Sequence, residues 1–256
     1  MSATAPALSV SGATKRFGAV TAIDSVDLEL YRGEVVALLG DNGAGKSTLI
    51  KCISGAHRFD SGTITMDGRL VTIHSPADAR ALGIETVYQD LALFDNLRAT
   101  DNFYAGRELA VPSWLPRPFR ILRRRKMVEA TRDVLKRLDV SLPGLDTSVG
   151  LMSGGQRQAV AVSRAAAFAS NVVILDEPTA ALGVRESRGV LNLIQRLRAD
   201  GKAIVVISHA LDHVMEVADR AVIMRRGRKV GELPASPEAH TQIVSLIVGG
   251  GEPRGG

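Results

Sequence analysis

Cysteine occurs once in the 256 residues, at Cys52, so no disulfide can close within the chain, and its position inside an expected helix makes it a small buried thiol. Long apolar runs are missing as well. Stretches such as Val172–Leu175 and Ala203–Ile207 fall far short of the roughly 20 residues that a membrane-crossing helix needs, so no such helix is expected. Met1–Pro6 lacks the basic start and apolar stretch of a secretory signal, and the expectation is a cytosolic chain. Acidic residues are absent from 117–126, where Arg117, Arg120, Arg123, Arg124, Arg125 and Lys126 crowd together in a chain of net charge +5. Such a cluster suits nucleic-acid phosphates, an anionic membrane leaflet or a solvated helix start. Aromatics that would stack on bases are lacking there beyond Phe119.

What is present is enough apolar residue, 45% of the chain, to bury a sizeable core in one α/β domain with a smaller inserted subdomain. Leu8–Leu30 alternates loosely between apolar and polar residues, and Gly62–Met66 runs into Asp67-Gly68, a hairpin turn leading to another short strand. The first quarter therefore reads as a small antiparallel layer. Within it, Val35–Leu39 has the continuous apolar character of a strand buried on both faces, and Lys46–Ser54 reads as a helix. From about residue 95 to Phe168 the composition turns helical, with Met127, Thr131, Val134 and Leu138 on one face. Val172–Leu175, Ile204–Ile207 and Ala221–Met224 are short strands separated by helices near Glu186–Arg198 and Leu211–Ala218, which implies a mainly parallel, doubly wound sheet. Ser236-Pro237 offers an N-cap and N1 proline for a last helix through Ile247, and 249–256 is a glycine-rich tail expected to be loose.

Two motifs carry chemistry. Gly40-Asp41-Asn42-Gly43-Ala44-Gly45-Lys46-Ser47 fits the phosphate-binding pattern G-x-x-x-x-G-K-[ST] between an expected strand and helix. Glycine lets the backbone wrap a phosphate closely and point its N–H groups at it, at the positive end of a helix. Lys46 would neutralise β- and γ-phosphates, Ser47 would ligate Mg²⁺, and Thr48 would support the helix start. The second motif, Val172–Leu175 followed by Asp176-Glu177, delivers two carboxylates to the C-terminal end of a buried strand, the edge where α/β sheets place ligands. Asp176 suits a metal held through its hydration shell, and Glu177 suits the water that attacks the γ-phosphorus. An acidic turn before Pro178 is the bland alternative, weakened by the nearby phosphate loop.

Met152-Ser153-Gly154-Gly155-Gln156, continued by Arg157-Gln158, resembles the signature loop of ABC ATPases, with Met152 where that family usually has leucine. Ser153 and Gln156 also have capping-box spacing, and Gly154 and Gly155 expose N–H groups at a helix start. The resemblance runs from about residue 8 to 248 and implies a RecA-like P-loop NTPase core with an N-terminal antiparallel β subdomain and an inserted helical subdomain at about 95–168. It implies ATP and Mg²⁺ as ligands, Phe17 as the aromatic that stacks on adenine, Gln89 as the glutamine that contacts the metal site, and His209 as the histidine that reaches the γ-phosphate. His57, His74, His213 and His240 have no comparable context. After Glu177-Pro178-Thr179-Ala180-Ala181-Leu182 the family usually has aspartate, whereas this chain has Gly183, in a loop that spans the dimer interface in that family.

In ABC proteins the signature loop of one cassette completes the phosphate site of another, so the resemblance implies a head-to-tail homodimer. Gly40-Asp41-Asn42-Gly43, Ser54-Gly55-Ala56-His57 and Ile73–Gln89 look similar to cassettes of ribose-, xylose- and fructose-type importers. The implied partners are transmembrane permease subunits and, indirectly, a periplasmic sugar-binding protein, with the cassette peripheral on the cytoplasmic face of the membrane. A non-transport ABC ATPase acting on ribosomes or nucleic acid is the competing reading, and so is a cassette for another cargo. No appended nucleic-acid module or second cassette is present to favour the former, so no nucleic-acid partner is expected.

Overall fold

Apolar alternation at the amino end builds a sheet before any helix appears. In the computed structural model, which describes residues 5–111, 121–180 and 182–249, β1 (Leu8–Phe17) pairs antiparallel with β2 (Val20–Leu30). Their inward residues Leu8, Val10, Ile23, Val26 and Leu28 are buried. Then come β3 (Val35–Leu39) and α1 (Lys46–Ile53), after which β4 (Ser61–Met66) pairs with β1. The expected turn follows, with Asp67 and Gly68 both at positive φ, and leads into β5 (Arg69–Val71). A hairpin this tight needs left-handed backbone, which aspartate tolerates and glycine adopts freely. The result is a 4-stranded sheet in the order β2-β1-β4-β5.

Chain order then runs through α2 (Pro76–Ala81), β6 (Ile84–Val87), α3 (Ala99–Tyr104), β7 (Ala110–Val111), β8 (Ile121–Leu122), α4 (Arg124–Arg137) and α5 (Gly154–Phe168). It continues through β9 (Val172–Asp176), α6 (Val184–Ala199), β10 (Ala203–Ile207), α7 (Leu211–Val217), β11 (Arg220–Arg225), β12 (Arg228–Pro234) and α8 (His240–Val248). The main sheet is 6-stranded in the order β12-β11-β3-β10-β9-β6, parallel except where β12 pairs antiparallel with β11. Period-2 alternation explains why its central strands are apolar throughout. Val205 and Ile207 of β10 pack toward α1 and the antiparallel sheet, while Ile204 and Val206 pack toward α5 and α6. Burying each such side chain stabilises the fold by about 1.5–3 kcal/mol.

A separate apolar cluster of Ala99, Phe103, Met127, Leu135, Val149, Met152 and Val160 joins α3, α4 and α5. On α4 the expected face is found, with Met127, Thr131 and Leu138 buried and Val134 half-buried. Arg123, Arg124, Arg125 and Lys126 lie exposed at its start, and Arg124 pairs with Asp101 at 3.3 Å, so this part of the basic cluster is a solvated helix start. Arg117, Phe119 and Arg120 lie outside the described residues, as do 250–256 of the expected tail. Cys52 is buried, and burial pushes its thiol up to about 11. Among the described residues no helix is long and apolar enough to cross a membrane.

Two expectations differ from the structure. The inserted segment is not wholly helical, because β7 and β8 pair antiparallel within it. Ser236 makes no side-chain capping bond: Pro237 begins a 3₁₀ turn, Pro237–Ala239, whose tighter winding precedes the α-helix at His240.

Asn102 fastens the inserted helices to the segment before them. Its side chain is fully buried, accepts from Phe94 N at 2.8 Å and donates to the carbonyls of Phe94, Leu97 and Arg98 at 3.0, 3.3 and 3.2 Å. Replacing Asn102 by alanine leaves those groups without their partner. We expect a loss of about 2 kcal/mol in urea unfolding, since an orphaned buried polar group costs roughly 1–3 kcal/mol.

Candidate nucleotide site

The site begins where β3 stops. Val35–Leu39 carries the chain to Gly40, whose φ of 146° and close approach to a neighbouring strand admit no side chain: a Cβ there would lie 2.2 Å from the carbonyl oxygen of Met224. Gly45 is similarly confined, at φ 100°, with a would-be Cβ 2.6 Å from the Ala22 carbonyl oxygen. The loop between them folds on its own polar groups, Asn42 N donating to Asp41 Oδ1 at 2.7 Å and Ala44 N to the Asp41 carbonyl at 3.1 Å. No side chain caps α1, whose N-cap is Gly45, so its first-turn amides are free of side-chain partners and suited to an anion.

Lys46 is 6% exposed, and its Nζ donates to the carbonyls of Gly40 at 2.8 Å and Asp41 at 3.0 Å. Burial lowers its pKa from the ordinary lysine value, opposed by the charges of Glu177, Asp176 and Asp41. Asp41 belongs to the loop after β3, whereas Asp176 ends β9 and Glu177 follows it. Burial raises Asp176 above the usual carboxylate range, with Lys46 the main opposing charge. Glu177 is raised by burial too, with His209 opposing. Glu177 occupies the left-handed region at φ 51°, an uncommon place for a non-glycine, and its N–H donates to the Ile207 carbonyl at 2.9 Å. Its Oε1 is buried with no aligned hydrogen bond, 3.3 Å from Nε2 of the half-exposed His209. An unsatisfied carboxylate oxygen facing a site is the kind of acceptor that a water or ligand would complete.

These groups line one cavity of about 560 Å³, which contains Asn42 through Thr48, Gln89, Asp176, Glu177 and His209. Gly40 and Asp41 serve it from behind, through the carbonyls that hold Lys46. Gln89 is placed by its neighbour Tyr88, whose hydroxyl lies 2.8 Å from Ser54 Oγ at the end of α1. Phe17 does not line the cavity. It is 46% exposed at the end of β1, edge-on to His57 with ring centroids 5.3 Å apart, although its cross-strand partner Val20 does line the cavity.

Ser153, Gly154, Gly155 and Gln156 are likewise absent from that lining. They form the capping box expected of them, Gln156 N donating to Ser153 Oγ at 3.3 Å and Ser153 N to Gln156 Oε1 at 2.9 Å. Gly154 opens instead onto a neighbouring cavity of about 440 Å³ that shares Gln89 and Glu177 with the first. Gly183 is the N-cap of α6 without a side-chain bond, and a Cβ there would meet Glu186 Oε2 at 2.6 Å.

Several contributors escaped the motif reading. Arg226 and Gly227, in the turn between β11 and β12, line the cavity, and Gly227 N donates to the Ala44 carbonyl at 3.0 Å. Both residues of that turn are at positive φ, and a two-residue turn carries no signal that points back to the phosphate loop. Arg164 of α5 donates to the carbonyls of Leu91 at 3.2 Å and Ala92 at 3.1 Å, both left-handed residues just after Gln89. His213 lies on α7 and does not line the cavity, yet its Nδ1 is 3.0 Å from Thr179 Oγ1, two residues after Glu177.

Comparison with known proteins follows the same lines. The family model described as ABC transporter matches residues 23–180. Fructose import ATP-binding protein FrcA of Rhizobium meliloti is 48% identical over 249 residues, covering 97% of this chain and 96% of the relative. Xylose/arabinose import ATP-binding protein XylG of Sulfolobus acidocaldarius is 46% identical, covering 86% and 85%. The crystal structure of a nucleotide-free ATP-binding cassette from an ABC transporter superposes with a TM-score of 0.79 at 26% identity, over 94% of this chain and 95% of that one.

The phosphate loop tests itself through Gly40. Gly40→Ala forces a methyl group into a backbone carbonyl that cannot move aside, and we expect a lower melting temperature together with loss of ATP binding, read by calorimetric titration.

Proposed function

This chain belongs to the ABC transporter family, and from that premise we propose that it hydrolyses ATP to power the import of a monosaccharide through a partner membrane permease. The observation that carries the proposal is the convergence of Lys46, the Asp176-Glu177 pair, Gln89 and His209 on a single cavity at the C-terminal edge of the parallel strands. The amides of 43–48 and the Lys46 ammonium bind the β- and γ-phosphates, where charge builds up as the phosphoryl group transfers. Glu177 orients the attacking water and accepts its proton, for which a buried carboxylate with a raised pKa is better matched than an exposed one. His209 holds Glu177 and reaches the γ-phosphate.

Mg²⁺ fits this site as a metal shared between nucleotide and protein. Among the described residues no group of three or more His, Cys, Asp and Glu side chains could hold a metal ion by itself, and a cation that keeps its waters and takes phosphate oxygens needs only a few protein oxygens. Ser47 and Gln89 would supply them, Asp176 would hold the ion through its hydration shell, and the ion would neutralise developing phosphate charge.

Phe17, from its place opposite Val20, stacks on the adenine. The cassette spans about 8–248 with its helical part at about 95–168, and it works as a homodimer. Ser153, Gly154, Gly155 and Gln156 lie away from their own chain's phosphate cavity, so each set completes the site of the other copy. ATP stabilises the closed dimer and hydrolysis releases it, which supplies the two states that a permease follows. The dimer sits at the cytoplasmic face of the membrane, beneath permease subunits served by a periplasmic sugar-binding protein. Sugar import rather than another cargo is supported by similarity to the FrcA and XylG proteins.

Two measurements check this. Glu177→Gln keeps the shape of the side chain and removes the base, so turnover is expected to fall by at least about a hundredfold while ATP affinity holds and an ATP-bound dimer accumulates in gel filtration. Unchanged turnover would take Glu177 out of its role. Affinity purification of the chain from gently solubilised cells, followed by mass spectrometry, is expected to recover a polytopic permease and a sugar-binding protein. Recovery of ribosomal proteins or nucleic acid, with no membrane partner, would overturn the transport assignment.

A further inference from the structure

Glu177 leaves β9 in a conformation that a non-glycine residue holds only when its surroundings impose it. Two contacts to the end of β10 and the residues just after it are already described: Glu177 N to the carbonyl of Ile207, the last residue of β10, and Glu177 Oε1 beside His209 Nε2. A third lies one turn further along both segments. Thr179 is 7% exposed, and among the described residues its hydroxyl meets the Nδ1 of His213 at 3.0 Å. Beyond Thr179 the loop offers nothing comparable, since Ala180, Leu182 and Gly183 carry no polar side chain.

His213 itself stands on firm ground. It belongs to α7, whose Val214 and Val217 are buried, and the far end of that helix is tied to α6. Gln195 Nε2 donates to the Glu216 carbonyl at 3.2 Å, and Arg188 pairs with Glu216 Oε1 at 3.2 Å. A bond from His213 therefore fixes Thr179 relative to the body of the fold, and Thr179 is separated from Glu177 only by Pro178, whose ring restricts the link between them.

We propose that His213 is a positioning residue for ATP hydrolysis: acting through Thr179, it holds the loop that carries Glu177 so that the Glu177 carboxylate faces the attacking water. The inference rests on the role proposed for Glu177. Because its influence falls on the orientation of a group that acts in the transition state, and not on the phosphate loop, it lowers kcat and leaves nucleotide affinity alone.

The test measures phosphate release and binding of a fluorescent ATP analogue by the full chain carrying His213→Ala, His213→Asn, Thr179→Val and the double change His213→Ala with Thr179→Val. His213→Ala and Thr179→Val are each expected to reduce kcat about tenfold, with KM and analogue affinity within twofold of the starting protein. The double variant is expected to be no slower than either single one, as for two groups that act through one bond. Asparagine at 213 places an amide near the position of Nδ1 and should restore most of kcat, which a role in packing alone would not produce. Wild-type kcat in His213→Ala overturns the proposal, and so does a fall in affinity at constant kcat, fully additive losses, or an asparagine variant as slow as the alanine one. Glu177→Gln measured alongside separates the two levels: if it turns over normally, the role of Glu177 has failed, whereas if it is inactive and His213→Ala is not impaired, only the role of His213 has.

Discussion

The Lys46 ammonium is almost wholly shielded from water, and the rest of the site is arranged around keeping it charged. Burial lowers its pKa from the ordinary lysine value, and the opposing influences are the carboxylates of Glu177, Asp176 and Asp41, while the carbonyls of Gly40 and Asp41 accept its hydrogen bonds. Those groups come from two different strands, so the cation can be satisfied only when β3 and β9 stand in the same sheet, each beside β10. Asp176 and Glu177 in turn are held above the usual carboxylate range by burial, opposed by Lys46 at Asp176 and by His209 and then Lys46 at Glu177. Each charge makes the others tolerable, which is how a low-dielectric site can hold several of them.

Close backbone packing is what lets this happen without side chains in the way. Gly40 rests on the carbonyl of Met224 and Gly45 on that of Ala22, so the phosphate loop is seated on β11 and β2, elements from opposite ends of the chain. The turn at Arg226-Gly227 closes the seat by donating to Ala44. A loop fixed in this way presents its amides without rearranging when an anion arrives, and preorganised donors are worth more to a developing charge than mobile ones.

The inserted helical part joins the core through the apolar face of α5 and through polar ties. Arg164 reaches from α5 to the two left-handed carbonyls after Gln89, and the cavity beside Gly154 shares Gln89 and Glu177 with the phosphate cavity. The segment that begins at Gln89 therefore touches the phosphate-loop cavity at one end and α5 at the other. Movement of the helical part against the core would be felt at Gln89 through these bonds, a physical link on which coupling to a partner can be built.

The phosphate loop, the carboxylate pair and the signature helix were legible in the sequence because each is local. A glycine pattern, an apolar run ending in two acids, and a Ser-x-x-Gln cap state their geometry within a few residues, and the parallel core followed from apolar strands alternating with helices. The Asp67-Gly68 hairpin was equally local, and it formed. What escaped was decided by pairing at long range: the Arg226-Gly227 turn beneath the phosphate loop, the grip of Arg164 on Leu91 and Ala92, and the bond from His213 to Thr179. A lone histidine or a two-residue turn has no periodicity to betray its partner. The sequence by itself determined which residues were chemically able to hold and cleave a nucleotide; the tertiary structure decided which of them meet, because strand order in the sheet, and not distance along the chain, sets what stands beside Lys46 and Glu177.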